Sequence, residues 1–316
     1  MPCTISPLEI KRVKAMGFLN NKGTDLFNAR IITVNGKITA EQAAVIAEAA
    51  KKFGSGEVEF TTRLTVEVRG VHFDNIPAFQ DFIAQAGLIT GGTGSVVRPV
   101  VSCKGTTCQY GLYDTFALSE EIHKRFYLGY HSVKLPHKFK IACGGCPNNC
   151  VKPTLNDLGI IGQLAPQLDE DSCNGCKKCQ IVNVCPMKAC KVEDGCLAID
   201  PEVCNNCGRC VGHCPFDALE EGKPGFKIYI GGRWGKKIAH GQPLHKFFTS
   251  EEEVLKTVEK AILFFREQGK TGERFSDTIE RLGFDYVEKE LLSDDILARK
   301  DAILAAELHM VGGATC

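Results

Sequence analysis

Cys143-Gly-Gly-Cys-Pro-Asn-Asn-Cys150 is the stretch on which the reading of this chain turns. Cys146 and Cys150 are three residues apart with two turn-favouring asparagines, Asn148 and Asn149, between them, so both thiolates can face one point in space. A cubane iron-sulfur cluster takes four such thiolates, and Cys103 and Cys108 upstream are the nearest candidates for the other two. Cys143 offers a rival C-x2-C pairing with Cys146; its other reading is a buried thiol. Immediately before the loop, Lys138 to Ala142 reads as a strand on which Lys138 and Lys140 share one face, with Phe139 and Ile141 on the other. A cationic pair beside a metal loop is an anion trap.

Downstream lies a second group of cysteines. Cys173, Cys176, Cys179 and Cys185-Pro form one run; Cys204, Cys207, Cys210 and Cys214-Pro form another, with the C-x2-C-x2-C-x3-C-P spacing of two-cluster bacterial ferredoxins. In that pattern the fourth cysteine ligates the other cluster. Cys173, Cys176, Cys179 and Cys214 are therefore assigned to one [4Fe-4S] cluster, and Cys204, Cys207, Cys210 and Cys185 to the other. The first run has five residues before its last cysteine where three is usual, so Cys190 or Cys196 is an alternative to Cys185. Zinc is the alternative metal for such spacings.

The flanks read as one fold interrupted by this module. Residues 27–34 suggest a strand closed by Asn35-Gly36, and Thr39 caps a helix through Phe53. Glu57 to Arg69 reads as one strand. Val58, Phe60, Leu64, Val66 and Val68 lie on a covered face, and Glu59, Thr61, Arg63, Thr65 and Arg69 on a face open to a ligand. A helix over Ile76–Ala86 completes a β-α-β-α unit. Residues 116–126 read as helix and 226–231 as a strand. Ser250 and Glu253 form an expected capping box for a helix striped by Val254, Leu255, Val258, Ile262 and Phe265. Two further helices are expected near 277–282 and 294–308.

Global composition narrows the function. Lys plus Arg and Asp plus Glu are both 38, which gives no reason to expect nucleic acid as a partner, so anion binding must be local. No apolar run approaches the roughly 18 residues of a membrane span, and no signal core is seen, so a cytoplasmic location is expected. Seventeen cysteines with repeated C-x2-C spacing point to metal ligation rather than disulfides. Cys3 and Cys316 read as exposed thiols at the termini. Among the histidines, only His137 is close enough to the loop to serve as a proton relay.

Gly-Gly-Cys-Pro-Asn-Asn-Cys, preceded by Cys103 and Cys108, resembles the cluster and siroheme signature of the sulfite and nitrite reductases, in particular the catalytic subunit of anaerobic sulfite reductase. The first pair departs from that pattern: four residues, Lys104 to Thr107, stand where five are usual. The resemblance implies an α+β fold. A ferredoxin-like half domain (1–90) would precede a siroheme and 4Fe-4S α/β domain (91–168, continued at 223–316), and a two-cluster ferredoxin would be inserted at 169–222. It implies siroheme and three [4Fe-4S] clusters, with Cys103, Cys108, Cys146 and Cys150 on the coupled cluster and Cys150 shared with the siroheme iron. Arg30, Arg98, Lys138 and Lys140 would grip sulfite or nitrite, Arg63 would pair with siroheme carboxylates beside Asn148 and Asn149, and Gly232-Arg233 would lie against the cofactor.

Such half domains normally occur in pairs, which implies a homo-oligomer or hetero-complex. No dinucleotide fingerprint is present, so a flavoprotein subunit or a ferredoxin would donate electrons. A siroheme-dependent sulfite reductase is the leading expectation. A nitrite reductase on the same scaffold and a multi-cluster electron carrier without siroheme are the alternatives.

Overall fold

The computed structural model describes residues 4–310; Cys3 and Cys316 lie outside the described residues. The first layer is built from α1 (Pro7–Ala15), β1 (Phe18–Asn20), β2 (Leu26–Ile31), α2 (Ala40–Phe53), β3 (Val58–Phe60), β4 (Val66–His72) and α3 (Ile76–Ala84). The strands form an antiparallel sheet in the order β1-β2-β4-β3, and the helices cover it through Phe18, Phe27, Ile46, Ala50, Val68, Phe79 and Ile83. Thr39 caps α2 as expected: its hydroxyl accepts from the Gln42 N–H while the Gln42 side chain accepts from the Thr39 N–H. Asn35 and Gly36 both take positive φ in the turn after β2.

The single strand expected over 57–69 is two strands with a turn between them. The Thr61 hydroxyl accepts from the N–H groups of Arg63 and Thr65, and Leu64 takes φ 59°, so local side-chain bonding wins over alternation. Phe60 is consequently 81% exposed rather than in the core. The same turn carries Arg63 out of the first layer and into the second.

The second layer contains β5 (Val101–Ser102), α4 (Thr115–Ile122), β6 (Ile141–Gly144) and β7 (Leu158–Pro166). A cysteine-rich segment follows with α5 (Gln180–Val184), β8 (Cys190–Glu193) and β9 (Cys196–Ile199); then come β10 (Gly222–Ile230) and β11 (Gln242–Pro243). The five-stranded sheet runs β11-β10-β7-β6-β5, with β5, β6 and β7 parallel and β10 antiparallel to β7. Register between β7 and β10 is continuous from Leu158↔Ile230 to Pro166↔Gly222, so residues 167–221 emerge from the end of an unbroken strand pair. The sheet strand before the cysteine loop starts at Ile141, later than the expected 138, because Phe139 makes only an isolated bridge to Val97.

Helices α6 (Glu251–Gln268), α7 (Phe275–Leu282), α8 (Phe284–Leu292), α9 (Asp295–Ala298) and α10 (Lys300–Ala305) close the core. Phe139, Phe265 and Phe275 meet at ring separations of 5.3–5.9 Å. Two expectations change here. Ser250 does accept from the Glu253 N–H, but the Glu253 carboxylate accepts from Thr249 N–H instead of closing the box on Ser250. The helix expected over 294–308 is two short ones, broken at Arg299, whose guanidinium binds Glu267 and Glu290. No helix among the described residues is long and apolar enough to cross a membrane.

Candidate active site

Cys103 follows β5 and Cys146 follows β6, so two adjacent parallel strands deliver both loops to the same edge of the sheet. The Cys103 N–H donates to the Cys143 carbonyl (3.1 Å), and the Gly145 N–H donates to Cys103 Sγ (3.2 Å). Glycine is required on both sides of this contact. A Cβ on Gly105 would meet Thr115 Cγ2 at 2.5 Å, and one on Gly145 would meet the Gly105 Cα at 2.9 Å. Close packing of the two backbones is how the short Cys103–Cys108 loop reaches the second pair. Burial raises the Cys146 pKa, the Asn148 N–H opposes this, and the nearby thiols of Cys103, Cys150 and Cys108 raise it further. The loops that carry Cys103 and Cys146 thus lie side by side, and the Cys146 thiol feels Cys103, Cys150 and Cys108.

Cys143 is not one of them: it is fully buried in β6, and burial raises its pKa strongly. Asn149 takes φ 56° and donates to Thr154 Oγ1 (3.2 Å), while its Oδ1 is buried without a partner; Asn148 is exposed.

The basic residues gather at the other end of β6. Arg63 is half-buried; its guanidinium donates to the carbonyls of Pro99 (2.6 Å) and Ile141 (3.3 Å) and to Asn156 Oδ1 (3.0 Å), and its buried Nε has no partner among the described residues. Desolvation lowers its pKa to about 10, with Asp157 opposing and Arg98, Arg274 and Arg30 adding repulsion. Arg98 and Arg30 both donate to the carbonyl of Gly92, at 2.5 and 3.2 Å, and Arg30 also pairs with Glu67 at 2.6 Å. Burial, then Arg30 and Arg274, lower Arg98 to about 10. Gly92 has φ 72° and would place a Cβ within 3.0 Å of Pro99, so its carbonyl can serve both arginines only as glycine.

Lys140 is half-buried, and desolvation followed by Arg63 and Arg274 lowers its pKa to about 8. His137 falls to about 4 through desolvation and the charge of Lys138, and its Nδ1 accepts from the Lys138 N–H at 2.8 Å.

Sequence reasoning missed the charges that organise this group. Asp157, fully buried, accepts from Arg274 at 2.7 and 2.9 Å and from the Lys140 N–H at 2.9 Å. The two partners are 117 residues apart, and no local motif announces either. Gly232 packs so tightly on residues 154–156 that a Cβ would lie 2.3 Å from the Thr154 carbonyl, and Arg233 pairs with Asp277 at 2.7 Å.

In the segment 167–221, Cys185, Cys204, Cys207 and Cys210 line one small cavity together with Cys190. Cys173, Cys179 and Cys214 pack against a small core containing Ile181 and Leu219; Cys176 is half-buried. The Cys173 sulfur accepts from Leu197 N–H (3.3 Å) and the Cys185 sulfur from Ala189 N–H (3.4 Å). None of the fifteen described cysteines forms a disulfide.

Residues 93–296 match the family model of the nitrite and sulphite reductase 4Fe-4S domain, and residues 20–86 that of the nitrite/sulfite reductase ferredoxin-like half domain. The chain is 30% identical over 262 residues to a coenzyme F420-dependent sulfite reductase of Methanocaldococcus jannaschii, covering 81% of this chain and 41% of that protein, so it spans less than half the length of that relative. It is 29% identical over 260 residues to the alpha subunit of the dissimilatory-type sulfite reductase of Allochromatium vinosum, covering 75% and 62% of the two chains.

Its fold matches a crystal structure of dissimilatory sulfite reductase I with a TM-score of 0.67 at 24% identity, covering 84% of this chain and 69% of that one. Mycobacterium tuberculosis NirA matches with a TM-score of 0.62 at 16% identity, over 99% and 50% of the respective chains. With a family model spanning most of the chain and the two cysteine loops joined at one sheet edge, this protein belongs to the nitrite and sulphite reductase family.

Proposed function

We propose that the chain is the catalytic unit of a siroheme-dependent sulfite reductase that carries out the six-electron reduction of sulfite to sulfide. The observation that carries this reading is the pairing, at the two ends of β6, of a four-thiol set with a group of cations. Arg30, Arg63, Arg98, Lys140 and Arg274 lie close enough to influence one another, and Glu67 and Asp157 pair with Arg30 and Arg274. An electron carrier has no use for such a group of cations, whereas an anionic macrocycle and an oxyanion substrate both suit it. The residues fit both groups: the four thiols form a soft donor set for iron, and Arg63 Nε is a buried donor still lacking an acceptor.

Cys103, Cys108, Cys146 and Cys150 would hold a [4Fe-4S] cluster, with Cys150, the exposed member, shared with siroheme. Bound siroheme supplies an iron that takes the anion and delivers electrons to it. Arg63 would pair with its carboxylates. Arg30, Arg98, Lys138 and Lys140 would bind the oxyanion and stabilise charge as S–O bonds break. Lys140 Nζ, with a pKa near 8, is poised to pass a proton at neutral pH. Residues 167–221 would be a ferredoxin module holding two further [4Fe-4S] clusters, fed by a flavoprotein or ferredoxin within a larger assembly. The location would be the cytoplasm.

Sulfite is preferred to nitrite because, among relatives matching over three quarters or more of this chain, the sulfite reductases stand at 30% and 29% identity. A nitrite reductase of Bacillus subtilis also matches, at 25% identity over 248 residues. The test is an optical spectrum of anaerobically purified protein with extraction of the pigment, followed by turnover with each anion. Extraction of a siroheme-type pigment is expected. Cys150→Ser should abolish reduction while both ferredoxin-type clusters stay visible by paramagnetic resonance. Iron and sulfide with no tetrapyrrole, from a siroheme-producing host, would leave an electron carrier.

A further inference from the structure

The second cysteine run of the segment 167–221 is docked on the body of the molecule. Leu164 of β7 donates its N–H to the Asn206 carbonyl (2.8 Å), and Leu164 and Cys207 form an isolated parallel bridge. Gly208, at φ 68°, lies so close to the strand that a Cβ would sit 2.6 Å from Leu164 Cδ2, so the loop can lie on β7 only with glycine there. The next residue, Arg209, holds its guanidinium over the Tyr110 ring, 5.1 Å from the centroid. Arg209 stands between Cys207 and Cys210, and Tyr110 follows Cys108 by two residues. One side-chain contact thus ties the second run to the loop that carries Cys103 and Cys108.

Tyr110 is itself held from behind. The Gly111 N–H donates to the Cys108 carbonyl and the Leu112 N–H to the Gly145 carbonyl, both at 2.9 Å. The same Gly145 carbonyl would lie 2.6 Å from a Cβ on Gly162 of β7. Gly162 and Leu164 are two apart on the strand and so share a face, which carries the cysteine loop at one position and the second run at the other. The first run is bonded differently. Cys173 donates to Glu170 and accepts from Leu197, and the Cys214 carbonyl accepts from Asp217, all inside the segment.

We propose that Arg209 is a positioning residue for electron handover: by clamping Tyr110 it holds the second run against the Cys103–Cys108 loop. The cluster of Cys204, Cys207, Cys210 and Cys185 is then the one that passes electrons to the siroheme-coupled cluster, and that of Cys173, Cys176, Cys179 and Cys214 the one that takes them from the donor. The inference rests on the proposed function and its reading of these cysteines as ligands. Electron transfer weakens steeply with separation, so the run docked on the body is the one placed to deliver. At each handover the delivering cluster is oxidised by one electron and the coupled cluster reduced by one. No bond forms or breaks, and the electrons originate in the flavoprotein or ferredoxin donor.

The test pairs hydrogen exchange with rapid-freeze paramagnetic resonance on the full anaerobic protein. Arg209→Gln is expected to speed exchange of the Leu164 amide about two- to fivefold, the size of one exposed cation–π contact, at unchanged iron content. Tyr110→Phe, which keeps the ring, should exchange as wild type does. Tyr110→Leu should match Arg209→Gln, and combining the two should add nothing further. Equal exchange in wild type and Arg209→Gln would overturn the clamp. For the order of the clusters, Cys176→Ala should lose one ferredoxin-type signal, and sulfite added to the reduced protein should still reoxidise the other. A remaining signal that stays reduced would overturn the order. Should Cys176→Ala lose both signals, Cys207→Ala decides the order from the other side: its remaining signal should stay reduced, and prompt reoxidation would overturn it. Wild-type protein without ferredoxin-type signals would instead remove the ligand reading, and wild-type clusters that sulfite fails to reoxidise would remove the proposed function.

Discussion

The body of the molecule buries Phe139, Phe248, Phe264, Phe265 and Phe275 almost completely, whereas residues 167–221 bury only Ile181, Cys190, Leu197, Cys210 and Leu219 in their own core. Each fully buried aromatic contributes about 1.5–3 kcal/mol, so the body can fold on apolar area alone. A segment of fewer than about 70 residues with so small a core needs staples. Its described cysteines form no disulfides, and on the proposed reading metal-sulfur bonds would supply the cross-links. Electrostatics divide the same way. The body spends buried charge on Arg274–Asp157 and the neighbouring cations, while the segment carries thiols that metal would bind.

Stripping iron and sulfide tests this contrast most severely. Proteolysis of the apoprotein should concentrate between residues 167 and 221 while the body retains a cooperative unfolding transition; equal cleavage across the chain would erase the distinction. The next largest effect belongs to the body. Asp157→Ala strands Arg274, itself only 6% exposed at its side chain, and should cost about 3–5 kcal/mol in denaturant unfolding.

A pH series addresses Lys140, whose pKa near 8 lies below its ordinary value. It is charged below pH 8 and neutral above it, so nitrite binding should weaken as pH rises through 8, and Lys140→Arg should flatten that profile. Between pH 8 and 10 the unfolded chain binds more protons at this site, so stability through Lys140 rises over the same window. A nitrite affinity independent of pH would remove Lys140 from the anion site. The smallest change is Ser250→Ala, expected to cost about 1 kcal/mol through loss of the α6 cap.

How much was legible beforehand depended on sequence distance. The Thr39 cap, the Asn35-Gly36 turn and the α6 stripe follow from neighbours a few residues apart, and each stands as read. The 57–69 stretch misled because its alternation holds on both sides of a turn that a single threonine hydroxyl builds. Helix α8 was missed because Gly283, at φ 89°, joins it to α7 with no loop between.

The same distinction governs the site. Sequence alone marked which cysteines could act together, because ligand spacing within a loop is a local property of the chain. It also marked Arg30, Arg63, Arg98, Lys138 and Lys140 as the cations to watch, through resemblance. Only the tertiary structure placed Cys103 against Gly145, seated Arg63 beneath Pro99 and Ile141, and brought Arg274 across 117 residues to Asp157. Buried charge is specified by whatever surrounds it, and those surroundings exist only after distant strands and helices have packed.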